Sequence, residues 1–213
     1  MILQTLKRMA NGEHVLIVAV GDSITEQNYH LHGHLNFVGI WHEQWLEKYG
    51  RRLMMINSGV SGNTSVNLLE RLERDVLRFN PDLVSIMIGI NDSGKGISLQ
   101  NYKDNLEKLI HSIREAGSEV LLLTPHPIRI YETETASRYS SYPEFVEGIR
   151  ESAEKMDVAL CDIHKEWILR VDDHKHLSLM NDWIHPNERG HRLMADILIE
   201  QLSRSEMKEG RII

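Results

Sequence analysis

Valine-rich apolar runs alternate along this chain with segments whose apolar residues recur every three or four positions. His14 to Val20 (HVLIVAV) is almost continuously apolar, which is how a strand covered on both faces reads. Leu53 to Ile56, Leu83 to Ile88 (LVSIMI), Val120 to Leu123 and Val158 to Cys161 are shorter runs of the same kind. Helical patterns lie between them. Phe37 to Tyr49 carries Trp41, Trp45 and Leu46 at helical spacing and closes at Gly50, a suitable C-cap. Thr64 to Phe79 places Val66, Leu69, Leu72, Val76 and Leu77 on one face and charges on the other, until Asn80-Pro81 stops it. Leu99 to Ala116 carries Tyr102, Leu106, Leu109, Ile110 and Ile113 and ends at Gly117. Tyr142 to Met156 and Glu188 to Leu202 complete the set, and the polar tail after Ser203 is expected to fray. Strand and helix in alternation predict an α/β fold, a parallel sheet with helices on both faces.

The length, 213 residues, fits a single domain over 1–213, with a core at about 13–203 and a tail at 204–213. Such a core needs neither metal nor disulfide to fold. Hydrophobic residues are 41% and charged residues 26%, a globular balance. Lys and Arg number 24 against 31 Asp and Glu, a net charge of −7. With no basic block, neither nucleic acid nor an anionic membrane is an expected partner. No apolar run approaches the roughly 18 residues of a membrane span, and Val15 to Val20 is too short and too β-branched for a signal peptide. The lone cysteine, Cys161, excludes an internal disulfide and fits a reducing cytoplasm. A homo-oligomer is left open.

In open parallel sheets, ligands bind beyond the carboxyl ends of the strands. Four segments sit there: Gly21-Asp22-Ser23-Ile24-Thr25, the run from Asn57 to Thr64, Gly89-Ile90-Asn91-Asp92, and Asp182-Trp183-Ile184-His185-Pro186. Acyl transfer needs a nucleophile, a base, a group that orients the base, and donors where the oxyanion forms. Ser23 sits on a glycine-containing turn and His185 is the candidate base. Asp182, three residues earlier, can fix the imidazole tautomer. Gly62 offers an unobstructed backbone N–H, and Asn91 a side-chain amide. These five complete the set of parts.

The four segments resemble the blocks of the SGNH, or GDSL-type, esterases and lipases: GDSIT at 21–25 with Ile24 in place of a common leucine, Gly62 in SGNTS, GIND at 89–92 and DWIHP at 182–186. The order and spacing match from about Val15 to Ile199. The resemblance implies a three-layer α/β/α sandwich of flavodoxin-like type with a five-stranded parallel sheet. It implies a Ser23–His185–Asp182 triad, and an oxyanion site from the backbone N–H groups of Ser23 and Gly62 and the side chain of Asn91. The reaction would pass through an acyl-enzyme, with no metal or other cofactor, on a small-molecule ester. The runs SGNTSVNLLERLERDV and PDLVSIMIGIND are most similar to small cytoplasmic carbohydrate acetylesterases, including acetylxylan esterases. Thioesterases, lysophospholipases and arylesterases share the core blocks, and a non-catalytic carbohydrate-binding member is a further alternative. A flavin or nucleotide binder would want a phosphate cradle after the first strand, where Asp22 and Glu26 would repel phosphate.

Several residues admit plainer readings. Ser23 could be a helix N-cap with Glu26 as capping-box partner. Asp22, Asn63 and Asp92 are expected to support the loops rather than react. His30, His32 and His34 could chelate a metal, rim the pocket or be incidental. His126 could line the pocket or end a strand, and Trp183 could wall the site or pack beneath its loop; His30, His32, His126 and Trp183 are the substrate-binding candidates. His164 is read as structural or functional alike, and His174 and His176 as surface residues. Cys161, inside an apolar run, reads as a core residue before a thiol nucleophile. Trp41 and Trp45 read as core or subunit contact before sugar platform.

Overall fold

Val15–Gly21 (β1), Leu53–Gly59 (β2), Leu83–Met87 (β3), Glu119–Leu123 (β4) and Ala159–Cys161 (β5) pair in parallel in the order β2-β1-β3-β4-β5. The computed structural model describes residues 3–26, 31–129 and 133–209, and these five strands are the sheet among them. On the central strands, successive side chains go to opposite faces. Ile17, Ala19, Leu83, Met87, Leu121 and Leu123 share one buried cluster; Val18, Val20, Val84, Ile86, Val120 and Leu122 share the other. Both faces are covered, so both parities are apolar, and the strands read as continuous runs rather than alternations.

One face is covered by Gln4–Ala10 (α1), Phe37–Tyr49 (α2), Ile163–Arg170 (α8) and Glu188–Glu209 (α10), whose buried residues include Leu6, Trp41, Trp45, Trp167 and Leu198. The other is covered by Ser65–Asp75 (α3), Leu99–Glu115 (α5) and Tyr142–Lys155 (α7), which bring in Leu68, Leu72, Leu106, Leu109, Ile110 and Phe145. Trp41 and Trp45 pack edge to face in the core, ring centres 5.0 Å apart. Ile90–Gly94 (α4), Thr133–Arg138 (α6) and Asp173–His176 (α9) are short helices on the connections. The result is the flavodoxin-like α/β/α sandwich expected from the sequence.

The differences are local. The packed core begins before residue 13, because α1 buries Leu6 and Met9 beside Leu3. Seven residues are too few for a helical period to stand out. The helix is docked through its N-terminus: the Glu119 carboxylate accepts from the N–H groups of Gln4 and Thr5 at 2.7 and 2.6 Å. Strand β2 runs on through Asn57, Ser58 and Gly59, polar residues that an edge strand accommodates because one side faces water. The final helix continues beyond Leu202, where the apolar pattern stops, to Glu209. Among the described residues no helix is long and apolar enough to cross a membrane.

Candidate active site

The sheet register brings the chemistry-bearing segments together. Gly21 is level with Gly59 on one side and Met87 on the other. Ser23 follows Gly21 by two residues, Gly62 follows Gly59 by three, and Asn91 follows Met87 by four. All three therefore leave the carboxyl edge at adjacent strands, where the direction of the strand order reverses between β1 and β3.

Ser23 lies on a tight turn, not at a helix start, so the capping reading fails. The Asp22 carbonyl accepts from the N–H groups of Thr25 and Glu26 at 3.1 and 2.9 Å, and Asp22 Oδ1 accepts from Ile24 N–H at 3.0 Å. A side chain at position 21 would clash with the Met87 carbonyl and Thr25 Oγ1, so only glycine lets the turn lie on the strand ends. Two asparagines pin the far side of the turn. Asn36 donates to the Thr25 and Glu26 carbonyls, each at 2.8 Å, and Asn57 donates to the Thr25 carbonyl at 2.6 Å.

Ser23 Oγ is 3.0 Å from His185 Nε2, and His185 Nδ1 is 2.8 Å from Asp182 Oδ2. The other Asp182 oxygen accepts from the backbone N–H groups of Ile184 and His185, each at 2.7 Å. Partial burial pushes this carboxyl up, but the His185 ring and the two N–H groups outweigh it and hold Asp182 well below the ordinary carboxylate range. It is an anion at every pH of interest. An aspartate so placed keeps a proton on Nδ1 and leaves Nε2 bare toward the serine hydroxyl.

Gly62 adopts φ +73°, a left-handed turn conformation that side chains disfavour. Its loop is tied to the third segment, since Asn91 Nδ2 donates to the Asn63 carbonyl at 3.0 Å. That uses one amide hydrogen of Asn91 and leaves the second for a ligand. Asp92 is fully buried and accepts from both Ser65 N–H and Ser65 Oγ, at 2.9 and 2.6 Å, which anchors the start of α3.

The GDSL-like lipase/acylhydrolase family matches residues 19–193, which span all four segments. The chain belongs to that family. It is a carboxylic ester hydrolase. An acetylxylan esterase from Geobacillus stearothermophilus is 27% identical over 160 residues, covering 70% of this chain and 72% of that protein. Thioesterase 1/protease 1/lysophospholipase L1 of Escherichia coli K12 is 25% identical over 187 residues, covering 87% and 82%. The crystal structure of the Geobacillus esterase superposes with a TM-score of 0.74 at 23% identity, over 90% of this chain and 95% of that one. Catalytic mutants of that esterase have been solved at a serine, an aspartate and a histidine. An α/β hydrolase from the Lake Arreo metagenome superposes with a TM-score of 0.72 at 26% identity, over 90% and 96%.

Within this GDSL-type scaffold several expected residues sit elsewhere. His126 does not line a pocket: it is fully buried and its Nε2 lies 2.7 Å from the Ile184 carbonyl. His176 is not on the surface but 2% exposed, with its Nδ1 accepting from Trp167 Nε1 at 3.2 Å. His174 is exposed. His164 is partly buried, its ring pushed down to about 4 by burial and then by Arg150. Cys161 is buried, and burial drives its thiol far up, away from a nucleophilic thiolate. His32 and His34 are exposed before α2, Trp183 is half-buried in the loop with His185, and His30 lies outside the described residues. Among the described residues no three His, Cys, Asp or Glu side chains are grouped to hold a metal ion.

The pattern of charges along α3 also hid a residue that braces the candidate site. Arg71 falls on the face expected to be solvated, yet it is only 7% exposed. Its guanidinium donates to Gly21 O at 3.0 Å, Asn63 Oδ1 at 2.6 Å and Ser58 Oγ at 3.1 Å. It thus ties the ends of β1 and β2 to the Gly62 loop. Three nitrogens of one planar fork each reach a different acceptor, a spread that the single nitrogen of a lysine lacks.

Asp22 is 1% exposed. Burial pushes its carboxyl up to about 7, against the Ile24 N–H and with the help of Asp92. A raised folded-state value means that the protonated group favours the native state, and that this contribution is lost as pH rises from about 4 through about 7. Asp22→Asn keeps an acceptor for Ile24 and carries no charge. Its stability relative to the parent is therefore expected to improve between pH 5 and pH 8, by a few kcal/mol at most. Urea unfolding at both pH values checks this; an equal offset at the two would refute it.

Proposed function

We propose that the chain is one catalytic domain that removes a small acyl group, acetyl foremost, from a carbohydrate hydroxyl. Ser23 Oγ attacks the ester carbonyl carbon while His185 Nε2 takes its proton. The oxyanion is held by the backbone N–H groups of Ser23 and Gly62 and by the free amide hydrogen of Asn91. Collapse expels the alcohol, which takes the proton from His185 and leaves an acetyl-Ser23 ester. Water, deprotonated by His185, then attacks that ester; the bond to Ser23 Oγ breaks, the serine takes the proton back from His185, and acetate leaves. The observation that carries this reading is the unbroken line from Ser23 Oγ to His185 at 3.0 Å and on to Asp182 at 2.8 Å. The relatives named acetylxylan esterases support a sugar acetate as substrate. The lone buried thiol, Cys161, suits a reducing compartment such as the cytoplasm.

The test is a chain-length series of p-nitrophenyl acetate, butyrate, octanoate and palmitate beside an acetylated xylo-oligosaccharide. Turnover is expected to peak at acetate, with acetate released from the sugar. A peak at octanoate or longer would move the enzyme to the thioesterase or lysophospholipase reading, which the Escherichia coli relative represents. Asn91→Ala is expected to lower kcat by about 10²–10³-fold. An effect confined to KM would make Asn91 a substrate-binding residue instead.

A further inference from the structure

His126 has no part in the chemistry as drawn, yet it touches the loop that carries the base. It follows β4 by three residues and is fully buried, its ring centre 5.6 Å from that of Trp167. A carbonyl can only accept, so the 2.7 Å contact with Ile184 O requires the proton on Nε2. Burial drives this imidazole well below its ordinary range, so the ring is neutral and Nδ1 is bare. Nδ1, an acceptor, has no hydrogen-bond partner among the described residues. The backbone of His126 and the neighbour of its ring are both held. Tyr142 Oη donates to the His126 carbonyl at 2.7 Å, and Trp167 is held by its bond to His176.

The carbonyl of Ile184 and the N–H of His185 belong to one planar peptide unit. Asp182 holds the N–H end at 2.7 Å and His126 holds the oxygen end at 2.7 Å. With both ends gripped, the plane cannot tilt, and its tilt sets the direction in which the His185 side chain leaves the backbone. We propose that His126 is a positioning residue that locks the Ile184–His185 peptide and so aims His185 Nε2 at Ser23 Oγ. This rests on the reading of His185 as the base. Substrate is not touched by His126; it acts through the backbone of its neighbour loop.

The substitutions that test this separate the donor from the packing. A glutamine can place an amide N–H near the position of Nε2, an asparagine only near that of Nδ1, and phenylalanine keeps the ring without a donor. His126→Phe and His126→Asn are expected to lower kcat for p-nitrophenyl acetate by roughly 10- to 100-fold at unchanged KM, as a displaced base would. His126→Gln is expected to recover most of that loss. The low-field proton resonance of the His185–Asp182 hydrogen bond, assigned by its disappearance in His185→Ala, should shift or broaden in the first two variants and return in the third. Equal kcat in the Gln and Asn variants, or a wild-type resonance in Asn, would overturn the proposal even if Phe fails to fold. Turnover surviving His185→Ala would instead sink the triad reading, and this inference with it.

Discussion

Replacing Ser23 by Ala is expected to lower kcat for p-nitrophenyl acetate by roughly 10⁶-fold and to leave the fold intact. The first half follows from the loss of the hydroxyl oxygen that lies 3.0 Å from His185 Nε2. In the proposed mechanism no acyl-enzyme can then form, and water must attack unassisted. The second half follows from who builds the turn. Its backbone is held by Asp22, Asn36 and Asn57, not by the serine side chain. Removing Oγ leaves those bonds in place, so the thermal midpoint should move little. Mass spectrometry adds a direct check: a slow ester substrate should acetylate the parent protein at Ser23 and leave the Ala variant unlabelled. Retained turnover in that variant would show that another group attacks the ester.

Asp182→Asn should cost about 10⁴-fold in kcat, and the reason lies in the tautomer. The Asp182 Oδ1 atom accepts two backbone N–H groups, from Ile184 and His185. An asparagine must keep its oxygen there, which turns its NH₂ toward His185 Nδ1. That nitrogen then has to accept, so the proton moves to Nε2, facing Ser23 as a donor where an acceptor is needed. Loop geometry survives while the proposed base is disabled, so KM should change far less than kcat. Asp182→Ala provides the contrast: it also removes the loop bonds and is expected to destabilise the protein. A kcat within tenfold of the parent in Asp182→Asn would mean that Asp182 only shapes the loop.

The fold was legible because a doubly covered parallel sheet leaves a strong trace. Strands such as Val15 to Val20 and Leu83 to Ile88 are apolar at all but one position, Ser85, since helices bury both faces. Elements that are short or held by single polar contacts leave none. Helix α1 is fixed by the Glu119 carboxylate across more than a hundred residues of sequence, and no local period announces that. Helices α6 and α9 on the connections, and the short face-covering α8, were likewise unforeseen.

The same division runs through the site. Residue type and order single out Ser23, Gly62, Asn91, Asp182 and His185 as the candidates, because acyl transfer accepts few side chains in each role and ligands bind where strands end. Which polar residues hold those five in place was decided by the tertiary structure alone. Arg71 looked like one more charge on a solvated helix face, and His126 and His176 like loop or surface histidines. Each is buried, and each meets its partner across a gap in sequence: Arg71 with Gly21, His126 with Ile184, His176 with Trp167. Hydrophobic burial has a period that a sequence displays. A buried hydrogen bond has only a geometry, and that exists once the chain has folded.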